Sequence, residues 1–144
     1  MNYTILLIFK LKIKSFPQSY QQGLKSCVYY LENNVDFCYN VCMIKMFEQY
    51  GLNLTEEKIS RLNTFGSYLR EVNEVMNLTT VTDEGEMWIK HFLDSILGEK
   101  FFPQGASVCE VGSGGGFPSV PLKIVRDDLK MTLVESTGKK CEYL

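Results

Sequence analysis

An α/β fold is predicted by three features near the end of this 144-residue chain. A short apolar run, Ala106 to Cys109, leads into Glu110-Val111-Gly112-Ser113-Gly114-Gly115-Gly116-Phe117-Pro118. A second apolar run spans Val120 to Val125. A third, Met131-Thr132-Leu133-Val134, ends in Glu135. That order reads as strand, glycine turn, helix and strand, a single β-α-β unit.

The turn carries the chemistry. Glycine tolerates positive φ and lets a ligand approach the backbone closely. The first turn of the following helix is expected to offer free N–H groups and a positive dipole end to a carboxylate or phosphate. Glu135 lies 23 residues after Gly112, where the acid of a Rossmann-type unit bonds ribose hydroxyls. A dinucleotide fingerprint wants glycine at the sixth motif position, which is Phe117 here. Gly112-x-Gly114-x-Gly116, with an acid two residues ahead, suits an S-adenosylmethionine loop better. A tight connection without a ligand is the plain alternative, and Glu135 argues against it.

Upstream, Thr55 is placed to cap a helix, with Glu56 and Glu57 in its first turn. Ile59, Leu62, Phe65, Leu69, Val72 and Met76 recur every three or four residues, so one amphipathic helix runs to about Met76, with Gly66 as a mild internal cost. A shorter helix is expected around Ile44 to Tyr50. Asn77 to Thr82 breaks the long helix, and Asp83 with Glu86 resembles a capping box for the next. In that helix Ile89, Phe92, Leu93 and Ile96 form the expected buried stripe. His91, Asp94 and Ser95 share the opposite face. They read either as a surface His–Asp pair or as a polar wall beside a cofactor. Phe101 to Gly105 links to the first strand. The predicted organisation is an unassigned extension over 1–42, a helical region over 43–104, and the start of an α/β domain over 105–144.

Within the extension, Ile5 to Phe9 is apolar but lacks a preceding basic region, is too short to span a bilayer, and continues in strand-like alternation to Lys14. Pattern and charge both break near Met43 and Met46, and either is the expected ancestral start. Net charge is −2, with five of 15 basic and two of 17 acidic residues in positions 1–46. No global basic signature for nucleic acid results, so a small-molecule substrate and RNA held by a local patch both stay open. Five cysteines without a CxxC pair argue against a disulfide framework or zinc site and for reduced thiols in a cytoplasmic protein.

Taken together, the motifs resemble those of the bacterial 16S ribosomal RNA guanine-N7 methyltransferases, also called glucose-inhibited division protein B. The matching segments are Asn77-Leu78-Thr79 with Thr82-Asp83, and Lys90-His91-Phe92-Leu93-Asp94-Ser95. Further on come Val111-Gly112-Ser113-Gly114-x-Gly116-Phe117-Pro118 with Pro121-Leu122, then Leu133-Val134-Glu135-Ser136 with Gly138-Lys139-Lys140. They follow the family's order and spacing over roughly residues 44–144.

The resemblance implies a Rossmann-like S-adenosylmethionine-dependent methyltransferase with an N-terminal helical region. It implies methyl transfer from S-adenosylmethionine to N7 of a guanine in 16S rRNA of the small ribosomal subunit, by a protein monomeric at full length. By position, Gly112, Gly114 and Phe117 would contact the cofactor, and Glu135, Ser136 and Thr137 its adenosine part. Lys139 and Lys140 would lie near RNA phosphate, unless they are a solvated helix start. His91 would help shape the substrate site, and no residue is implied as a catalytic acid or base. Two departures stand out: Glu110 replaces the commoner Asp, and Ser119 replaces the usual glycine. Only two strands are predicted, so the sheet is expected to be incomplete, weakly active and prone to association. A methyltransferase of small molecules or proteins, and a non-catalytic fragment, are the competing expectations.

Overall fold

A computed structural model describes residues 43–144. The strand-like start and the boundary at Met43 fall on or against residues outside that range. The chain divides into two compact units between Glu56 and Glu57. In the first, α1 covers residues 43–49 and buries Met43, Met46 and Phe47. The Leu52 N–H returns to the Phe47 carbonyl at 3.0 Å and closes the turn after it.

The second unit opens with α2, Glu56–Met76, as the apolar spacing requires. Ile59, Leu62 and Leu69 are buried, whereas Phe65, Val72 and Met76 are half-buried. Gly66 is also buried, and a Cβ there would meet Phe92 Cζ at 3.2 Å and Met87 Sδ at 3.4 Å. The glycine is thus a contact point between helices rather than only a propensity cost. Asn77 ends α2 with φ 51, a left-handed terminus that Asn tolerates.

The next helical run, α3, has three parts: Glu84–Met87 is α-helical, Trp88–Leu93 is a π-helix, and Asp94–Leu97 is α-helical again. Asp83 caps it by accepting from the Glu86 N–H at 2.9 Å. Only half of the capping box forms, because the Glu86 carboxylate pairs forward with Lys90 at 2.9 Å. Phe92, Leu93 and Ile96 of the predicted stripe are buried, and Trp88 takes the place of Ile89, the one position changed by the π-helix. Its i→i+5 bonds widen the turn, and Trp88, Phe92 and Leu93 are buried while Ile89 is half-buried. Trp88 and Phe92 meet edge to face at 4.9 Å between centroids. Ser95 leaves the expected polar face: it is buried, and its hydroxyl donates to the His91 carbonyl.

Strands β1, Ser107–Val111, and β2, Lys130–Val134, pair in parallel, with Ser107 opposite Lys130 and Val111 opposite Val134. The helix between them, α4, spans Ser119–Val125 and buries Leu122, Ile124 and Val125. Arg126 follows and forms a two-pronged pair with Asp128, at 2.7 and 2.8 Å. The same guanidinium reaches Glu99 and the Phe102 carbonyl, and Asp128 accepts the Gly105 N–H at 2.7 Å. This network ties the linker before β1 to the turn before β2. Each strand alternates between the two sheet faces: Val108, Glu110, Met131 and Leu133 are half-buried on one, and their strand neighbours are exposed on the other. A last helix, α5, spans Gly138–Tyr143. The described part is therefore a mixed helical structure with a small parallel sheet.

Candidate active site

The loop between β1 and α4 is held open by backbone geometry. Gly112 continues the ladder, its N–H bonding the Val134 carbonyl at 2.7 Å, and then turns with φ 78. No atom beyond its chain neighbours lies within 4 Å of a Cβ built there, so the left-handed turn faces open space. Gly116, with φ 86, is the opposite case, since its Cβ would fall 2.7 Å from Val120 Cγ2. One glycine leaves room for a ligand, and the other lets the loop close on its own helix.

Glu135 holds this loop from the end of β2. Its carboxylate accepts the Gly114 N–H at 3.0 Å through one oxygen and the Thr137 N–H at 2.9 Å through the other. The Thr137 and Gly114 N–H groups stabilise the charged form and lower its pKa to about 2. The Ser136 hydroxyl donates to the same carboxylate at 3.4 Å. A carboxylate has about four acceptor positions, and the Ser136 hydroxyl is the partner an incoming ribose hydroxyl would displace. Ser136 and Thr137 lie beside it and are exposed. Ser113, between the first two glycines, is buried, and its Oγ has no hydrogen-bond partner. Such an orphan is costly, and a polar ligand in the loop would relieve it.

The helix N-terminus corrects the expectation of free donors. Ser119 N–H bonds the Glu110 carboxylate at 3.2 Å, and Val120 N–H bonds the Gly116 carbonyl at 2.8 Å. Pro121 has no N–H, and Leu122 N–H reaches the Pro118 carbonyl at 3.1 Å. Glu110 thus caps α4, and ligand recognition falls to the glycine turn itself.

Phe117 continues the loop into an aromatic group. Its ring stacks on His91 at 4.3 Å between centroids and packs near Phe65 at 5.5 Å. His91 Nε2 lies 2.7 Å from Thr79 Oγ1, which also accepts the Val81 N–H. That hydroxyl is left with a hydrogen to give, which suits a neutral imidazole. Burial lowers the His91 pKa, opposed more weakly by a backbone hydrogen bond at Lys90 and by the Asp94 charge, while the Lys90 charge acts with burial. His91 and Asp94 make no ion pair, and only a weak charge effect of Asp94 on the ring connects them. Instead His91, Asp94 and Ser95 all line a cavity of about 400 Å³, with Phe101, Phe102 and Phe117 among the other walls.

The structure brings Gly112, Gly114, Glu135, Ser136 and Thr137 to one loop cluster and joins Phe117 to His91 beside the cavity. Lys139 is exposed and Lys140 half-buried on α5, and neither pairs with a carboxylate among the described residues. Sequence reasoning missed Tyr143, whose hydroxyl donates to the Gly115 carbonyl at 3.2 Å and whose ring stacks on Tyr68 at 5.4 Å. Burial pushes its pKa up. It also missed Ser113 and the role of Thr79, although both stand inside motifs already singled out.

Comparison with known proteins supplies the remaining context. The family model described as rRNA small subunit methyltransferase G matches residues 58–144. A ribosomal RNA small subunit methyltransferase G of Staphylococcus haemolyticus (strain JCSC1435) is 41% identical over 104 residues, covering 71% of this chain and 43% of the relative. One from Lactobacillus delbrueckii subsp. bulgaricus (strain ATCC BAA-365 / Lb-18) is 43% identical over 100 residues, covering 67% and 42%. One from Staphylococcus aureus (strain JH9) is 41% identical over 104 residues, covering 71% and 44%. The matched part of this chain thus spans less than half the length of each of these relatives.

Proposed function

The chain belongs to the rRNA small subunit methyltransferase G family, and on that premise we propose that it carries the cofactor-binding part of a Rossmann-like, S-adenosylmethionine-dependent rRNA guanine-N7 methyltransferase. The observation that carries the reading is Glu135: a carboxylate at the end of β2 that holds the Gly114 N–H of the glycine loop and the Thr137 N–H. Gly112 and Gly114 leave room for the amino-acid part of the cofactor, and Ser113 offers it an unpartnered hydroxyl. Glu135 takes the ribose hydroxyls, with Ser136 and Thr137 beside the adenosine.

When bound, S-adenosylmethionine supplies a sulfonium methyl group that passes to the N7 lone pair of guanine, leaving S-adenosylhomocysteine. N7 carries no proton, so the chain's residues need to orient rather than abstract. Phe117 and His91 form the wall beside the loop, and the neutral imidazole adds no positive charge near a cationic sulfonium. Lys139 and Lys140 supply charge for RNA phosphate. The small ribosomal subunit is the proposed partner, and the cytoplasm the proposed location. No described helix is long and apolar enough to cross a membrane.

Isothermal titration tests the reading directly. S-adenosylmethionine should bind the purified chain and NAD should not. Glu135→Ala should weaken binding about tenfold or more, since it removes charge-assisted bonds worth roughly 1.5–3 kcal/mol each. Equal binding by the variant would overturn the ribose role of Glu135.

A further inference from the structure

Resting on the methyltransferase reading above, we infer that the cavity beside Phe117 takes the target base and that Asp94 is the residue that selects guanine. Its volume of about 400 Å³ falls within the roughly 300–1,000 Å³ of small-molecule sites. Phe117 and Pro118, at the end of the glycine loop, form part of the cavity wall, so the cavity adjoins the loop assigned to the methyl donor. The walls suit a flat base. Phe101 is 76% exposed, Lys100 Nζ lies 5.5 Å from its ring centroid, and Phe102 and Phe117 complete the aromatic lining. Exposed aromatic rings beside lysines are the equipment by which proteins stack single-stranded bases and hold their phosphates.

Asp94 adds the discrimination. It is exposed and lines the cavity, and its carboxylate makes no hydrogen bond or ion pair with another described residue. Lys90, four positions earlier and on the same wall, is already paired with Glu86. An ionised carboxylate is acceptor-only and takes two parallel donors well. Guanine presents two adjacent donors, N1–H and the 2-amino group, on its Watson–Crick edge. Adenine presents an acceptor at N1, which a carboxylate repels. Gripping that edge also leaves N7, on the Hoogsteen edge, facing away from Asp94. One side chain thereby selects the base and directs its reacting atom.

The test titrates guanosine, inosine and adenosine 5′-monophosphates into the 144-residue chain, read by NMR shifts of the cavity residues. GMP should bind roughly tenfold tighter than AMP, and IMP, which lacks the 2-amino donor, should fall between. In Asp94→Asn the amide places an N–H against N1–H of guanine but matches N1 and N6 of adenine. The preference should therefore shift toward AMP, which a merely structural role would not produce. Phe101→Ala should weaken GMP and AMP alike and leave their ratio unchanged. Undetectable GMP binding at millimolar concentration, equal GMP and AMP binding by the parent, or a retained GMP preference in Asp94→Asn each overturns the assignment. Titration of the parent with S-adenosylhomocysteine reports the cofactor reading separately.

Discussion

His91 shows how far one side chain's chemistry depends on its neighbours. From its motif it was a polar residue on a helix face; in the fold it lies between Phe117 and Thr79. Burial against these groups favours the neutral ring and lowers its pKa from 6.5, while Asp94 works weakly the other way. The sign follows from linkage. The unfolded chain binds the proton more readily, so His91 stabilises the fold above pH 6.5 and that contribution is lost as pH falls through its lowered folded value. The parent chain should therefore lose thermal stability between pH 7.5 and 5.5 by more than His91→Gln, which keeps an acceptor for the Thr79 hydroxyl. Differential scanning calorimetry at the two pH values decides it. Identical losses in both proteins would show that His91 titrates without a folding-linked shift.

The α2–α3 packing makes the corresponding case for elements. Alanine is about 1 kcal/mol better than glycine inside a helix, which alone predicts that Gly66→Ala stabilises α2. Packing opposes this, because the new methyl would sit 3.2 Å from Phe92 Cζ. Phe92 has little freedom to retreat, with Trp88 at 4.9 Å and Phe65 at 6.0 Å between centroids. Overpacking costs about 1–3 kcal/mol, so the net effect should be a loss of about 1 kcal/mol, or roughly 4–8 °C in Tm for a domain of this size. Phe92→Leu should relieve the clash, giving a favourable coupling in a double-mutant cycle; additive losses would count against it. This balance also marks what the sequence made legible. The β-α-β order, the long helix and Glu135 all lie in local patterns: apolar runs, glycines and a fixed spacing. The π-helix over Trp88–Leu93 does not, because its burial pattern is set by what packs against it. Tyr143 on Gly115 and Arg126 on Glu99 are contacts between residues 28 and 27 positions apart, which no local window contains.

For the molecule as a whole, the sheet sets solution behaviour. Parallel sheets are ordinarily covered on both faces, yet Ser107, Cys109 and Val111 on β1 and Lys130, Thr132 and Val134 on β2 are exposed. Val111 and Val134 are register partners, 80% and 46% exposed, so their side chains form an apolar patch at the end of the ladder. Burying one valine side chain gains roughly 1.5–3 kcal/mol, and uncovered strand edges offer unpaired backbone groups to a second chain. Lys130 on the same face is a weak guard, at the far end of the register from Val111. The chain should therefore self-associate reversibly as its concentration rises. Val111→Lys places a charge within the patch without disturbing a buried contact, and should shift the chain toward monomer while leaving its circular dichroism unchanged. Sedimentation velocity over a concentration series separates the outcomes. If the variant associates as strongly as the parent, the contact lies elsewhere on the molecule and the exposed sheet face is not its cause.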